Sequence, residues 1–365
     1  MINSIEIDGY RGFDRFEMSD LGLVNLLVGG NNSGKTTVLE AIHLLTSKGD
    51  PATIWQLLWR RGEHMLDDRP REVQPEVDIC HLFTGHDLHE GSKIVLSAKN
   101  QSPKRVLEFV VAEPTKTERD KIRLEGSTTR FPYVLHIKGN QVPADTFIPI
   151  SSKWGIPSEA FEMPRRMRTR ISDDLDRVQF ITTESLNSRL LVRMWNEIAL
   201  TPQEELVLNA IRCLDSSIER IAPQSINEYA NTSRGGFKIK MKGRELPIPI
   251  GSMGDGMWRM LALAIAISRS KDGVLLVDEI DTGLHYSVMT QMWKLLYNAA
   301  IKLNVQIFAT THSSDCVNGL AKICSDGQDI QHRVTLNRIE SGKKKSIPYN
   351  EGEIRMAAER KIEVR

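Results

Sequence analysis

An apolar run, Leu23 to Val28, enters the octapeptide Gly29-Gly30-Asn31-Asn32-Ser33-Gly34-Lys35-Thr36 and leaves it into Thr37 to Thr46, where apolar residues recur at helical spacing. No other stretch constrains the fold as tightly. Gly29 and Gly34 let the backbone curl until successive N–H groups face one point, at the positive end of the following helix. Lys35 adds a flexible cation, and Thr36 a hydroxyl able to ligate Mg²⁺. Strand, glycine loop and helix in this order predict an α/β domain that grips a chain of phosphates. Asn31, Asn32, Ser33, Gly34, Lys35, Thr36 and Thr37 are its candidate contacts.

Three further stretches carry chemistry. Val274 to Val277 is apolar and ends in Asp278-Glu279. At the carboxyl end of a strand, Asp278 can hold Mg²⁺ through water, and Glu279 can orient or deprotonate an attacking water. Gly251-Ser252-Met253-Gly254-Asp255-Gly256 opens an apolar helix, Met257 to Ser268. It satisfies a glycine turn with an N-cap, and equally a second phosphate seat made of Ser252, Gly254 and the helix N-terminus. Phe308 to His312 reads as a strand whose end presents Thr310, Thr311 and His312, the histidine placed for a γ-phosphate. One active site has no use for two anion cradles in a single chain, whereas a head-to-tail dimer does.

These four elements, in this order, resemble the ABC-type ATPases of the RecF, Rad50, SMC and OLD group: Walker A, signature, Walker B and switch histidine. The resemblance covers mainly the first 50 or so residues and Leu246 to Leu320. It implies a P-loop NTPase with an ABC-type head, ATP and Mg²⁺ as cofactors, and ATP-dependent dimerisation with Ser252 acting across the interface. It also implies that Lys35, Glu279 and His312 serve hydrolysis, that Thr36 and Asp278 hold the metal, and that Arg11, in Tyr10-Arg11-Gly12-Phe13, lies near the nucleotide. Gln179 is the candidate metal-binding glutamine. Asp278-Glu-Ile-Asp-Thr-Gly-Leu-His285 looks most like OLD-type stand-alone ATPases, and the Ser-x-Leu-Asp element usual in RecF and SMC proteins is missing. No Toprim domain follows the head, so a separately encoded effector, a nuclease or toxin, is the expected partner, in phage defence or nucleic-acid surveillance. A RecF-like repair ATPase and an ATP-set scaffold with little turnover are the alternatives.

The expected organisation is an N-terminal ATPase half with the glycine loop (1–75), an inserted antiparallel β-rich lobe (76–150), a connector and helical lobe (151–245), and a C-terminal ATPase half (246–365). A net charge of +1 gives no global case for nucleic acid. The cluster Pro164 to Arg170 is a candidate grip for nucleic-acid phosphates, balanced against a solvated connector. Four scattered cysteines without CxxC spacing, no leader-like N-terminus and no apolar run of ~20 residues predict a cytoplasmic protein off the membrane. Cys80, His81, His86 and His89 read as structural, and the tryptophans as packing residues.

Overall fold

The computed structural model describes residues 1–65, 75–100, 104–124, 131–143, 146–161, 177–183, 187–224, 235–326 and 333–364. The basic cluster Pro164 to Arg170 lies outside them. Contacts divide the chain into two compact units. The first comprises Met1–Asp20, Asn32–Leu175 and Glu340–Ser346; the second comprises Leu21–Asn31, Asp176–Ile339 and Ile347–Arg365. The division crosses the glycine loop between Asn31 and Asn32.

β1 (Ile2–Tyr10) and β2 (Phe13–Met18) form an antiparallel hairpin of the first unit. β3 (Val24–Val28) belongs to the second, and α1 (Lys35–Thr46) and α2 (Pro51–Arg60) return to the first. β4 (His64–Met65), β5 (Glu76–Asp78) and, later in the chain, β10 (Gly155–Pro157) make a small sheet. β6 (Lys93–Asn100), β7 (Arg105–Ala112), β8 (Tyr133–Gly139) and β9 (Phe147–Ile150) are antiparallel, with α3 (Lys116–Leu124) between β7 and β8. They do not form a sheet of their own. β6 pairs with β1, so the order is β2-β1-β6-β7-β8-β9 and the segment expected as an insertion extends the N-terminal hairpin. Period-two alternation buries Ile5, Ile7, Ile94, Leu96, Leu107 and Phe109, and α1 packs over this apolar face.

The second unit is built on a mixed sheet. β11 (Val178–Ile181) precedes two helices, α4 (Ser188–Ile198) and α5 (Pro202–Arg212). Thr201 caps α5 by accepting from the Gln203 N–H, while the Glu204 carboxylate takes the Leu200 N–H, one residue earlier than a capping box requires. β12 (Ile218–Pro223), β13 (Phe237–Met241) and β14 (Ile248–Pro249) form an antiparallel sheet. Then come α6 (Asp255–Arg269), β15 (Val274–Val277), α7 (Met289–Leu303), β16 (Gln306–Thr310), α8 (Ser314–Asp326), β17 (Val334–Arg338), β18 (Ile347–Tyr349) and α9 (Glu351–Glu359).

Its central sheet runs β11-β15-β16-β3-β17-β18, parallel except at β18. β3, β15 and β16 are buried along their whole length and mostly apolar, as strands covered on both faces must be. Asn25, in the middle of β3, is accommodated by hydrogen bonds: it accepts from the Gly22 N–H and the Thr335 hydroxyl and donates to the Gly22 and Ile307 carbonyls. α6 is buried from Met257 to Ser268 and apolar there except at Arg259 and Ser268, the mark of a core helix. Trp195, Trp258 and Trp293 are core residues as expected, but Trp59 is 45% exposed and stacks on Trp55 and His64.

Candidate nucleotide site

Parallel strands deliver their carboxyl ends to one edge, where α/β sheets bind ligands. In the second unit, the registers Val277↔Ala309 and Ala309↔Leu26 bring the ends of β15, β16 and β3 level. From that edge emerge Asp278-Glu279, Thr311-His312 and Gly29 to Asn31. Thr310, fully buried, joins the first two: its hydroxyl donates to Asp278 Oδ1 at 2.6 Å and accepts the Glu279 N–H at 2.8 Å. Glu279 stands in the left-handed region, φ +46°, which a non-glycine residue adopts only when its surroundings enforce it. Its carboxylate accepts from the Thr282 hydroxyl at 3.3 Å. Next to it Thr311 donates to Asp281 at 2.5 Å, and the exposed His312 follows.

Arg259 was not legible as a site residue. It lies on α6, only 3% exposed, and its guanidinium donates to the carbonyls of Thr182 (2.7 Å), Asp278 (2.9 Å) and Glu279 (2.9 Å). Burial pushes its pKa down to about 10, against the pull of Asp281, Asp278 and Glu279, so it stays charged at neutral pH. The signal was there: one cation in the otherwise apolar run Met257 to Ile267.

Gln179 requires a correction. It pairs with Leu275 in the middle of β11, three residues below the level of Asp278, or ~10 Å at the usual rise per residue. That exceeds the reach of a glutamine side chain, so it does not sit at the carboxyl edge with Asp278. Ser252 and Gly254 lie directly before α6. Both are exposed, Gly254 is the N-cap of the fifteen-residue α6, and Asp255 places an acid in its first turn. Gly256 fits closely against the Gly283 carbonyl, tying the first turn of α6 to the loop after Glu279.

In the first unit, α1 opens at Lys35 after a glycine N-cap, with no acid in its first turn. Gly34 has φ +98°, and a Cβ there would strike the Phe13 ring. Asn32 is also left-handed, at φ +57°. Lys35 is buried, at 6% exposure. The buried hydroxyl of Ser33 has no hydrogen-bond partner among the described residues, the state expected of a group that bonds a ligand oxygen. Hydroxyl and carboxylate oxygens at Thr36 and Asp278 are the hard donors Mg²⁺ takes.

Arg11 plays a part other than the expected nucleotide contact. Its guanidinium is committed to Glu40 (2.8 Å) and Glu63 (2.6 Å) and to the His81 carbonyl. Glu40, on α1 and wholly buried, also binds Arg60 and Arg61. Arg11 therefore braces the helix that carries Lys35. Around His81, Asp78 caps a short turn through the Cys80 N–H, ligand atoms of Asp78, Cys80 and His81 lie within 4.8 Å of one another, and burial pushes the Cys80 thiol up to about 12.

The family described as "AAA domain, putative AbiEii toxin, Type IV TA system" matches residues 24–315, from β3 to the start of α8. The chain belongs to that family. It is a P-loop ATPase of the ABC type. An ATP/GTP phosphatase of Helicobacter pylori is 23% identical over 95% of both chains. An uncharacterised protein of Methanocaldococcus jannaschii is 29% identical over 28% of this chain and 49% of its own length. Among solved structures, an SMC head bound to the C-terminal winged-helix domain of ScpA matches with a TM-score of 0.50 and 13% identity, covering 96% of this ATPase and 98% of that chain. That likeness concerns the fold alone. Among the described residues, no helix of this ATPase is long and apolar enough to cross a membrane.

Proposed function

We propose that this ATPase hydrolyses Mg-ATP in sites shared by two copies, and that the state of the pair governs a separately encoded effector, a nuclease or toxin. The observation that carries the reading is the tip of α6: exposed Ser252 and Gly254 lead into a long helix whose N-cap is a glycine. Such a tip is a seat for phosphate, and the chain already carries another at Gly29 to Thr36. A second copy supplies the complementary half of each site.

Within a site, Asn31 to Thr37 wrap the triphosphate, with Lys35 against its β- and γ-phosphates and the Ser33 hydroxyl on a phosphate oxygen. Thr36 and Asp278 hold the metal, which when bound offsets the charge developing on the phosphates. Glu279 takes the proton of the attacking water, and His312 contacts the γ-phosphate. The family's description, "AAA domain, putative AbiEii toxin, Type IV TA system", supports a defence role. The Helicobacter pylori relative's name supports hydrolysis of nucleoside triphosphates. The experiment is to mutate Glu279→Gln and weigh the protein by light scattering with and without Mg-ATP. A doubling of mass with ATP is expected, and is lost on adding Ser252→Arg. If the variant binds ATP and keeps its mass, the shared-site reading fails.

A further inference from the structure

The Arg259 guanidinium is an expensive group to keep in a core. It is almost wholly buried and makes its hydrogen bonds to backbone carbonyls, and its Nε has no hydrogen-bond partner among the described residues. An apolar side chain of similar volume would fill the same space without the desolvation cost of a charge. What the charge provides is a grip on three segments at once: α6, the residue after β11, and the two residues after β15. The last of these is where the backbone is most constrained. The peptide units flanking Glu279 are held on both sides, the Thr310 hydroxyl taking the N–H and Arg259 and the Thr282 N–H sharing the carbonyl. Between those anchors lies the left-handed turn at φ +46°.

We propose that Arg259 is a positioning residue for Glu279: its hold on the Asp278 and Glu279 carbonyls maintains the left-handed turn that sets where the Glu279 carboxylate stands. This rests on the reading of Glu279 as the residue that activates water. Arg259 touches neither phosphate nor water in this role, and it acts through Glu279 alone. Lysine cannot substitute, because one ammonium on a flexible stem does not span carbonyls that a planar guanidinium bridges with two nitrogens.

The test compares Arg259→Lys, Arg259→Gln, Glu279→Gln and the double variant Arg259→Lys/Glu279→Gln, by single-turnover ATP hydrolysis, displacement of a fluorescent ATP analogue, and melting temperature. The lysine variant is expected to lose about 100-fold in hydrolysis, the scale of a small misplacement of a reacting group, with ATP affinity within about threefold of wild type. The double variant should be no slower than Glu279→Gln, since a residue acting only through Glu279 has nothing left to position. A merely structural arginine would lower binding and hydrolysis together, in step with the melting temperature, and that result overturns the proposal. So does a lysine variant as fast as wild type beside an inactive Glu279→Gln. If Glu279→Gln itself hydrolyses ATP normally, it is the reading of Glu279 that falls. Arg259→Gln, uncharged and able to donate from one amide, gives the same comparison if the buried lysine prevents folding.

Discussion

Replacing Thr310 with valine isolates the group that joins Asp278 to Glu279. The exchange keeps the shape of a fully buried side chain and deletes one hydroxyl, which donates at 2.6 Å to a carboxylate and accepts at 2.8 Å from the Glu279 N–H. A hydrogen bond to a charged partner contributes about 1.5–3 kcal/mol, and an N–H left unsatisfied costs about 1–3 kcal/mol. Both Asp278 and Glu279 are half-buried, so water recovers part of each loss. The added methyl returns about 0.8 kcal/mol. The net expectation is a destabilisation of about 2 kcal/mol, read as a lower urea midpoint at unchanged slope. Hydrolysis should fall further than stability requires, by about tenfold or more with ATP binding retained, because Asp278 and the turn at Glu279 lose a common anchor. Thr310→Ser keeps the hydroxyl and should hydrolyse ATP near the wild-type rate while losing about 1 kcal/mol with the buried methyl. A valine variant as stable and as active as wild type, or a serine variant as slow as the valine one, would refute the reasoning.

Lys35→Ala should weaken ATP binding about 10- to 100-fold, the equivalent of one charge-assisted bond, as measured by equilibrium titration. Chelating Mg²⁺ with EDTA should stop phosphate release, and restoring the ion should restart it. Gly34→Ala forces a Cβ into Phe13 at a left-handed position and should cost about 3 kcal/mol in a urea melt, part of it recovered by adding Phe13→Leu. Glu40→Gln should cost about 3 kcal/mol by the same measurement, since the buried Arg11 loses one of its two carboxylates while Arg60 and Arg61 turn to solvent.

Elements whose chemistry is local in sequence were legible before any coordinates. The glycine loop, the Asp278-Glu279 strand end and the Thr-Thr-His run each announce themselves within a few residues, and parallel β3, β15 and β16 bring them level. What escaped depends on partners far along the chain. Arg11 reads as a nucleotide residue until Glu40 and Glu63 are seen to occupy it. Gln179 is a plausible metal ligand by type, and only the pairing with Leu275 reveals that it lies too low on its strand. The alternation of β6 to β9 declares strands but not neighbours, so their joining to β1 could not be read. Arg259 was hidden by the apolar helix around it, because pattern reading assigns such a helix to the core and stops there.

The position of β3 has a consequence for synthesis. Its neighbours on either side, β16 and β17, come far later in the chain than β3 itself. Asn25 waits 282 residues for the Ile307 carbonyl and 310 for the Thr335 hydroxyl. At about 5–20 residues per second, that is roughly 15–60 s in which an apolar strand has left the ribosome without its sheet. The first unit can assemble most of its contacts in that interval, from residues already made. The nascent chain thus carries the strand that leads into its phosphate loop long before β16 and β17 are there to flank it.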